Sequence, residues 1–223
     1  MSVRKIPFTH NEFYHIYNRG NSKQTIFHDY QDYCRFVNLL FLSNGENGFK
    51  IQFIKANEIY NFDRGRQLVN IGAYCLMPNH FHILLNQRYE NGISKFMQKI
   101  STGYSMYNNI KHERTGTLFE GKFKAEHIKD DRHLKYLFSY IHLNPVKLID
   151  PNWKEMGIKN KDKALSFLSS YAYSSYLDFL NYNRPEVAVL NSETFPSYFL
   201  SESSFKKEIF EWINYTSLQA RPV

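Results

Sequence analysis

In Met77-Pro78-Asn79-His80-Phe81-His82-Ile83-Leu84-Leu85, the apolar residues Phe81, Ile83 and Leu85 recur at every second position. Successive side chains of a strand point to opposite faces, so this pattern predicts a strand that turns those three toward a core and places His80 and His82 together on the other side. Further along, Leu134, Leu137, Phe138 and Ile141 recur at i, i+3, i+4 and i+7, the spacing of an amphipathic helix. Tyr136, Tyr140 and Asn144 form a stripe at i, i+4 and i+8 beside that apolar face. Pro145 disfavours helical geometry in the residue before it, which predicts that the helix ends at Asn144.

The rest of the chain supplies the surrounding elements. Phe13 to Asn18 reads as a first strand, followed by a turn at Gly20-Asn21 and a helix over Tyr30 to Leu42. Ser43 to Gln67 is polar and broken by Gly45, Gly48 and Gly65, which predicts a loop or short hairpin. Val69 to Met77 and His80 to Gln87 read as two strands joined at Pro78-Asn79. Ile93, Phe96, Met97, Ile100, Tyr104 and Tyr107 mark a second helix from Ile93 to Lys111, and Leu118 to Ile128 reads as a fourth strand before the Tyr140 helix. The order strand, helix, two strands, helix, strand predicts an α+β fold of the ferredoxin-like kind. It would be an antiparallel four-stranded sheet with helices packed on one face. Residues 1–150 would form this unit, and 151–223 a helical C-terminal extension with helices around Ala164 to Leu180 and Glu208 to Ser217.

Charge narrows the choice of partner. Lys+Arg 28 against Asp+Glu 21 gives a formal net charge of +7, and aromatic residues make up 17% of the 223 residues. This suits a polyanion whose bases can stack on rings, although a mildly basic enzyme of another kind would look the same. The two cysteines, Cys34 and Cys75, are too far apart to suggest a zinc site. The start Met1-Ser2-Val3-Arg4-Lys5-Ile6-Pro7 has no signal-peptide core, no apolar run is long enough to span a membrane, and a cytoplasmic location is expected.

Two imidazoles side by side on a strand face can share a divalent metal, and a tyrosine one turn before an amide can hold its hydroxyl over that ion. The plainer alternatives are a strand with polar residues turned outward and a tyrosine whose hydroxyl meets water. With 17 tyrosines in the chain, composition does not choose among them. Lys111, His112, Arg114, Lys122, Lys124, Lys129 and Arg132 cluster around these elements and form a candidate patch for a phosphate backbone.

The stretch Met77 to Leu85, taken with Tyr140-Ile141-His142-Leu143-Asn144-Pro145-Val146-Lys147, resembles the signature of the HUH single-tyrosine transposases, particularly the REP-associated tyrosine transposases. The resemblance extends to Tyr14-His15-Ile16-Tyr17-Asn18-Arg19-Gly20-Asn21, Ile26-Phe27, Arg114 to Lys124, and Tyr171-Ala172-Tyr173-Ser174-Ser175-Tyr176, in order over roughly residues 10 to 180. It implies a DNA-cleaving and -joining enzyme. Tyr140 would be the nucleophile, with His80, His82 and Asn144 as ligands of Mg²⁺ or Mn²⁺. Single-stranded, hairpin-forming DNA would be the partner, contacted by Asn18, Arg19, Lys111, Arg114, Lys122, Lys124 and Arg132. A 5′-phosphotyrosine would be the intermediate, and the protein would act as a monomer or a homodimer. His142 stands where many relatives carry an acidic residue. A metal-dependent hydrolase in which water attacks, and a non-catalytic nucleic-acid-binding protein on the same scaffold, are the alternatives.

Overall fold

The computed structural model describes residues 7–196 and 201–214. Its strands are β1 (Phe13–Arg19), β2 (Val69–Met77), β3 (His80–Gln87) and β4 (Lys124–His127). Its helices are α1 (Tyr30–Leu42), α2 (Gly92–Lys111), α3 (Asp131–Leu143), α4 (Trp153–Met156), α5 (Lys161–Ser170), α6 (Tyr176–Phe179) and α7 (Glu202–Asn214). The strands form one antiparallel sheet in the order β2-β3-β1-β4, which is the predicted α+β, ferredoxin-like arrangement. Of the expected Glu208 to Ser217 helix, residues 215–217 lie outside the described residues.

Helices cover both faces of the sheet, not one. Tyr14, Ile16, Phe81, Ile83 and Leu85 pack against α1 and α2 through Phe36, Leu40, Phe96 and Ile100. On the opposite face Ala73, Cys75, Met77 and Leu84 pack against Leu134, Leu137, Phe138 and Ile141 of α3 and against Phe205 and Ile209 of α7. The reason is visible in β2, which is buried at every position, and a strand buried on both sides must be covered on both sides. An irregularity between Ile71 and Ala73 shifts the β2–β3 register by one residue at Gly72. A Cβ at Gly72 would lie 2.4 Å from the Phe195 ring, so the missing side chain makes room for the extension.

The fourth strand is much shorter than Leu118 to Ile128. Gly121 takes φ 75°, and Phe119 makes only an isolated bridge to Gly20 before pairing with β1 begins at Lys124. Lys122 therefore precedes the strand, and it does not share a strand face with Lys124. Gly20 itself has an ordinary φ of −59°. Its lack of a side chain serves close packing, because a Cβ there would lie 2.2 Å from the Gln24 carbonyl oxygen. Gly20→Ala is expected to destabilise the fold by roughly 1–3 kcal/mol, read as a lower melting temperature.

The α3 helix begins at Asp130, whose carboxylate accepts the His133 backbone N–H at 2.8 Å. It gives way at Asn144 to a 3₁₀ turn over Asn144–Leu148. Asn144 keeps helical dihedrals (φ −53°, ψ −39°) in spite of Pro145, so its side chain stays in line one turn beyond Tyr140. The helix is fastened to the sheet by His142. That wholly buried ring donates from Nδ1 to the Phe138 carbonyl at 2.9 Å and accepts at Nε2 from Ser175 Oγ at 2.8 Å, and Ser175 Oγ also receives the Tyr74 backbone N–H.

Burial pushes His142 down to about 3. The unfolded chain takes up this proton near pH 6.5 and the folded chain resists it to about pH 3. The stability contribution is therefore complete above pH 6.5 and declines as the pH falls through that window. Thermal melts should decline accordingly, by on the order of 1.4 kcal/mol per pH unit from this residue. His142→Gln should flatten the decline.

Candidate active site

On the sheet face that α3 crosses, alternation brings together side chains from three adjacent strands. His15 and Tyr17 come from β1, His80 and His82 from β3, and Lys124 and Glu126 from β4, with Tyr17 opposite both His82 and Lys124. The His80 and His82 rings lie with centroids 5.1 Å apart and nearly perpendicular. The Tyr140 ring stands over His82 at 5.5 Å. Asn144 is 1% exposed and its Nδ2 has no hydrogen-bond partner, an orphan that points to something further belonging in this space.

The hydrogen bonds of the two histidines leave one edge of each ring available. His80 donates from Nδ1 to Asn79 Oδ1 at 2.6 Å, and His82 Nδ1 lies 2.8 Å from His15 Nε2. Burial, then the nearby Lys147 charge, pushes His80 down to about 4, partly opposed by the Asn144 side chain. Burial, then the neighbouring His15 and His80, holds His82 well below its ordinary value. Both rings are thus neutral at pH 7 and carry lone pairs. Among the described residues no trio of His, Cys, Asp or Glu converges to hold a metal. The donor set in this space is two imidazole nitrogens and the Asn144 amide oxygen. That mixed set suits a divalent first-row ion or Mg²⁺.

Around the Tyr140 hydroxyl the field is positive. Lys154 of α4 donates to that oxygen at 2.5 Å and its ammonium sits 4.1 Å from the ring centre. Burial raises the Tyr140 phenol above its ordinary value, and the neighbouring Asn144 side chain opposes the rise. A cleft of about 410 Å³ opens beside these groups, lined by His80, His82, Tyr140, Tyr17, Asn18, Arg19, Lys23, Lys124 and Lys147.

The remaining predicted residues divide. Asn18, Arg19 and Lys124 reach the cleft. Asn18 is buried and holds the Gly121 carbonyl and the Arg19 N–H, while Arg19 pairs with Glu120. Lys111 is held by Asp29 and Asp32 at the start of α1, Arg114 by Gln24 and Asn108, both on the α1–α2 side of the sheet. Lys122 lines a separate groove along α2 with Ser101, Ser105 and Phe123, and Arg132 lies in a depression with Glu208 and Glu211. Sequence reasoning missed His15, Glu126, Lys147 and Lys154. His15 carried a usable signal, since His15 and Tyr17 alternate with Tyr14 and Ile16; Lys154 had none, because it reaches Tyr140 from outside the helix.

Residues 54–144, which hold the paired histidines, Tyr140 and Asn144, match the family model described as transposase IS200 like. No curated protein matches the sequence. Among solved structures, the chain shares its fold with the REP-associated tyrosine transposase bound to a REP hairpin, at TM-score 0.54 and 12% identity, covering 83% of this chain and 90% of that one. The IS200-like segment spans β2, β3, α2, β4 and α3, whereas β1 and the extension stand outside it. No helix among the described residues is long and apolar enough to cross a membrane.

Proposed function

We propose that this chain is a metal-dependent DNA endonuclease and strand transferase of the single-tyrosine transposase kind, with Tyr140 as nucleophile. The observation that carries the reading is the convergence of Tyr140, Asn144, His80 and His82 beside one basic cleft, in one chain and within the IS200-like segment. His80, His82 and Asn144 would hold Mg²⁺ or Mn²⁺. When bound, the ion supplies Lewis-acid polarisation of the scissile phosphate.

The protein's own groups do the rest. Arg19, Lys124 and Lys147 bind the phosphate backbone at the cleft and hold the scissile bond before the Tyr140 hydroxyl. The Tyr140 oxygen attacks phosphorus, its proton leaves to water, and the 3′ oxygen departs with a proton as a free 3′-hydroxyl. The 5′ phosphate stays on Tyr140, which conserves the bond for rejoining. Lys154 places a cation on the attacking oxygen and so favours the developing phenolate in one direction and its departure in the other. On this reading residues 1–150 form the catalytic region, and the extension 151–223 contributes Lys154 to the site. The solved relative holds a REP hairpin, and hairpin-forming single-stranded DNA in the cytoplasm is the substrate proposed for this chain. One copy carries the whole residue set.

A suicide oligonucleotide whose short upstream fragment, bearing the free 3′-hydroxyl, diffuses away after cleavage tests the reading. With Mn²⁺ present, a protein band shifted by covalent DNA is expected. Cut DNA without an adduct would mean that water attacks and that Tyr140 only packs. The cleft assignment has its own check: Lys124→Gln should lower the slope of log affinity against log salt by about 0.7, the share of one phosphate contact to a single strand. The same change at Lys122, in its separate groove, should leave that slope nearer to the parent's.

A further inference from the structure

Behind His82 lies a second imidazole that the reaction does not touch. His15 is 5% exposed, its Nε2 is 2.8 Å from His82 Nδ1, and the two ring planes lie within 19° of one another at 5.0 Å. Tyr17 stacks on the outer side of His15 at 4.8 Å. Glu126 stands directly opposite His15 in the β1–β4 register, with Oε2 3.8 Å from His15 Nδ1 and Oε1 3.7 Å from His133 Nε2 of α3. His15 Nδ1 is buried and has no hydrogen-bond partner among the described residues, so the Glu126 carboxylate is the acidic group it faces.

We propose that His15 is a positioning residue for the site: directed by Glu126, it fixes the tautomer and ring plane of His82 so that His82 Nε2 faces the metal as a lone pair. This rests on the assignment of His82 as a ligand. A neutral imidazole has one N–H and one lone pair, so only one of the two rings can donate in the His15–His82 bond. If His15 donated from Nε2, its Nδ1 lone pair would face the Glu126 carboxylate, and His82 would carry its proton on Nε2, where no metal could bind. If His15 instead keeps its proton on Nδ1, toward the carboxylate, its Nε2 accepts from His82 Nδ1–H. His82 Nε2 is then left bare. Glu126 selects the second state because a carboxylate only accepts. An outer partner on the far nitrogen is how protein sites orient a histidine ligand. Here the partner is another histidine, held by a carboxylate that also faces the Tyr140 helix through His133.

The test uses the full-length, metal-free protein labelled with ¹⁵N at histidine, read by two-bond ¹⁵N–¹H spectra at neutral pH, and Mn²⁺ titration calorimetry on the same samples. In the parent, His82 should be protonated on Nδ1. His15→Phe keeps a ring but removes the acceptor; it should move His82 toward the Nε2–H form and weaken Mn²⁺ binding by about 10–100-fold. His15→Gln offers an amide oxygen in its place and should restore both readouts in large part. Glu126→Leu changes a half-exposed side chain that folding tolerates, so it carries the test if His15→Phe does not fold; it should leave His82 a mixture of tautomers. An unchanged His82 tautomer in His15→Phe or Glu126→Leu would overturn the proposal, even with Mn²⁺ affinity reduced, since that would be structural loosening alone. Failure of the parent to bind Mn²⁺ would remove the ligand assignment, and the tautomer spectra would still decide whether His15 directs His82.

Discussion

Tyr140→Phe is expected to eliminate the covalent protein–DNA adduct and to lower single-stranded DNA cleavage by about 10⁴-fold or more, the scale seen when a nucleophile is removed from an assembled site. Binding should stay within about twofold of the parent, because the ring and its packing remain and phosphate attraction belongs to the surrounding lysines and arginine. Denaturing gels for the adduct and fluorescence anisotropy for binding separate the two effects. The choice of tyrosine is constrained by position. Tyr104 is wholly buried and donates to the Ile26 carbonyl, and Tyr107 donates to Asp32, both on the other side of the sheet. If the Tyr140→Phe protein still forms an adduct, the attacking residue must be Tyr17, whose ring is 5.9 Å from His82, or Tyr136, which stacks on Tyr140 at 6.0 Å.

What the sequence made legible was local pattern. The strands Val69–Met77 and His80–Gln87 and the helix Tyr30–Leu42 have the predicted bounds because period-2 and period-3.6 patterns were strong there and Asp29 caps the helix by accepting the Asp32 N–H. The His80–His82 pair and the Tyr140–Asn144 turn follow from the same periodicities, which is why one face of the site could be read in advance. Long-range packing was not legible. Nothing local says that β2, which carries Asn70 within it, would be buried on both faces, or that two glycines with positive φ, Gly116 and Gly121, would hold most of Leu118 to Ile128 out of the sheet. Basic residues illustrate the same limit. Lys111 and Lys124 are equally good candidates as sequence, yet one is tied to Asp29 and Asp32 and the other lines the cleft, because which way a charge points depends on the element it rides on.

His80→Ala and His82→Ala should each weaken Mn²⁺ binding by about 100-fold or more, since each removes a direct donor, where loss of an outer partner alone costs about 10–100-fold. Their effects on stability should differ. His80 is only partly buried and its Nδ1 partner, Asn79, sits in a half-buried turn, so His80→Ala should leave the melting temperature nearly unchanged. His82 is 7% exposed and its Nδ1 lies 2.8 Å from His15 Nε2. Truncating it strands a buried ring nitrogen, at a cost of roughly 1–3 kcal/mol. Calorimetric titration with Mn²⁺ and thermal melts of the two proteins measure both quantities. Parent-like Mn²⁺ affinity in both variants would remove the metal from this site. Equal melting temperatures would mean that water reaches His15 when His82 is gone, and that the floor of the cleft is more open than its burial indicates.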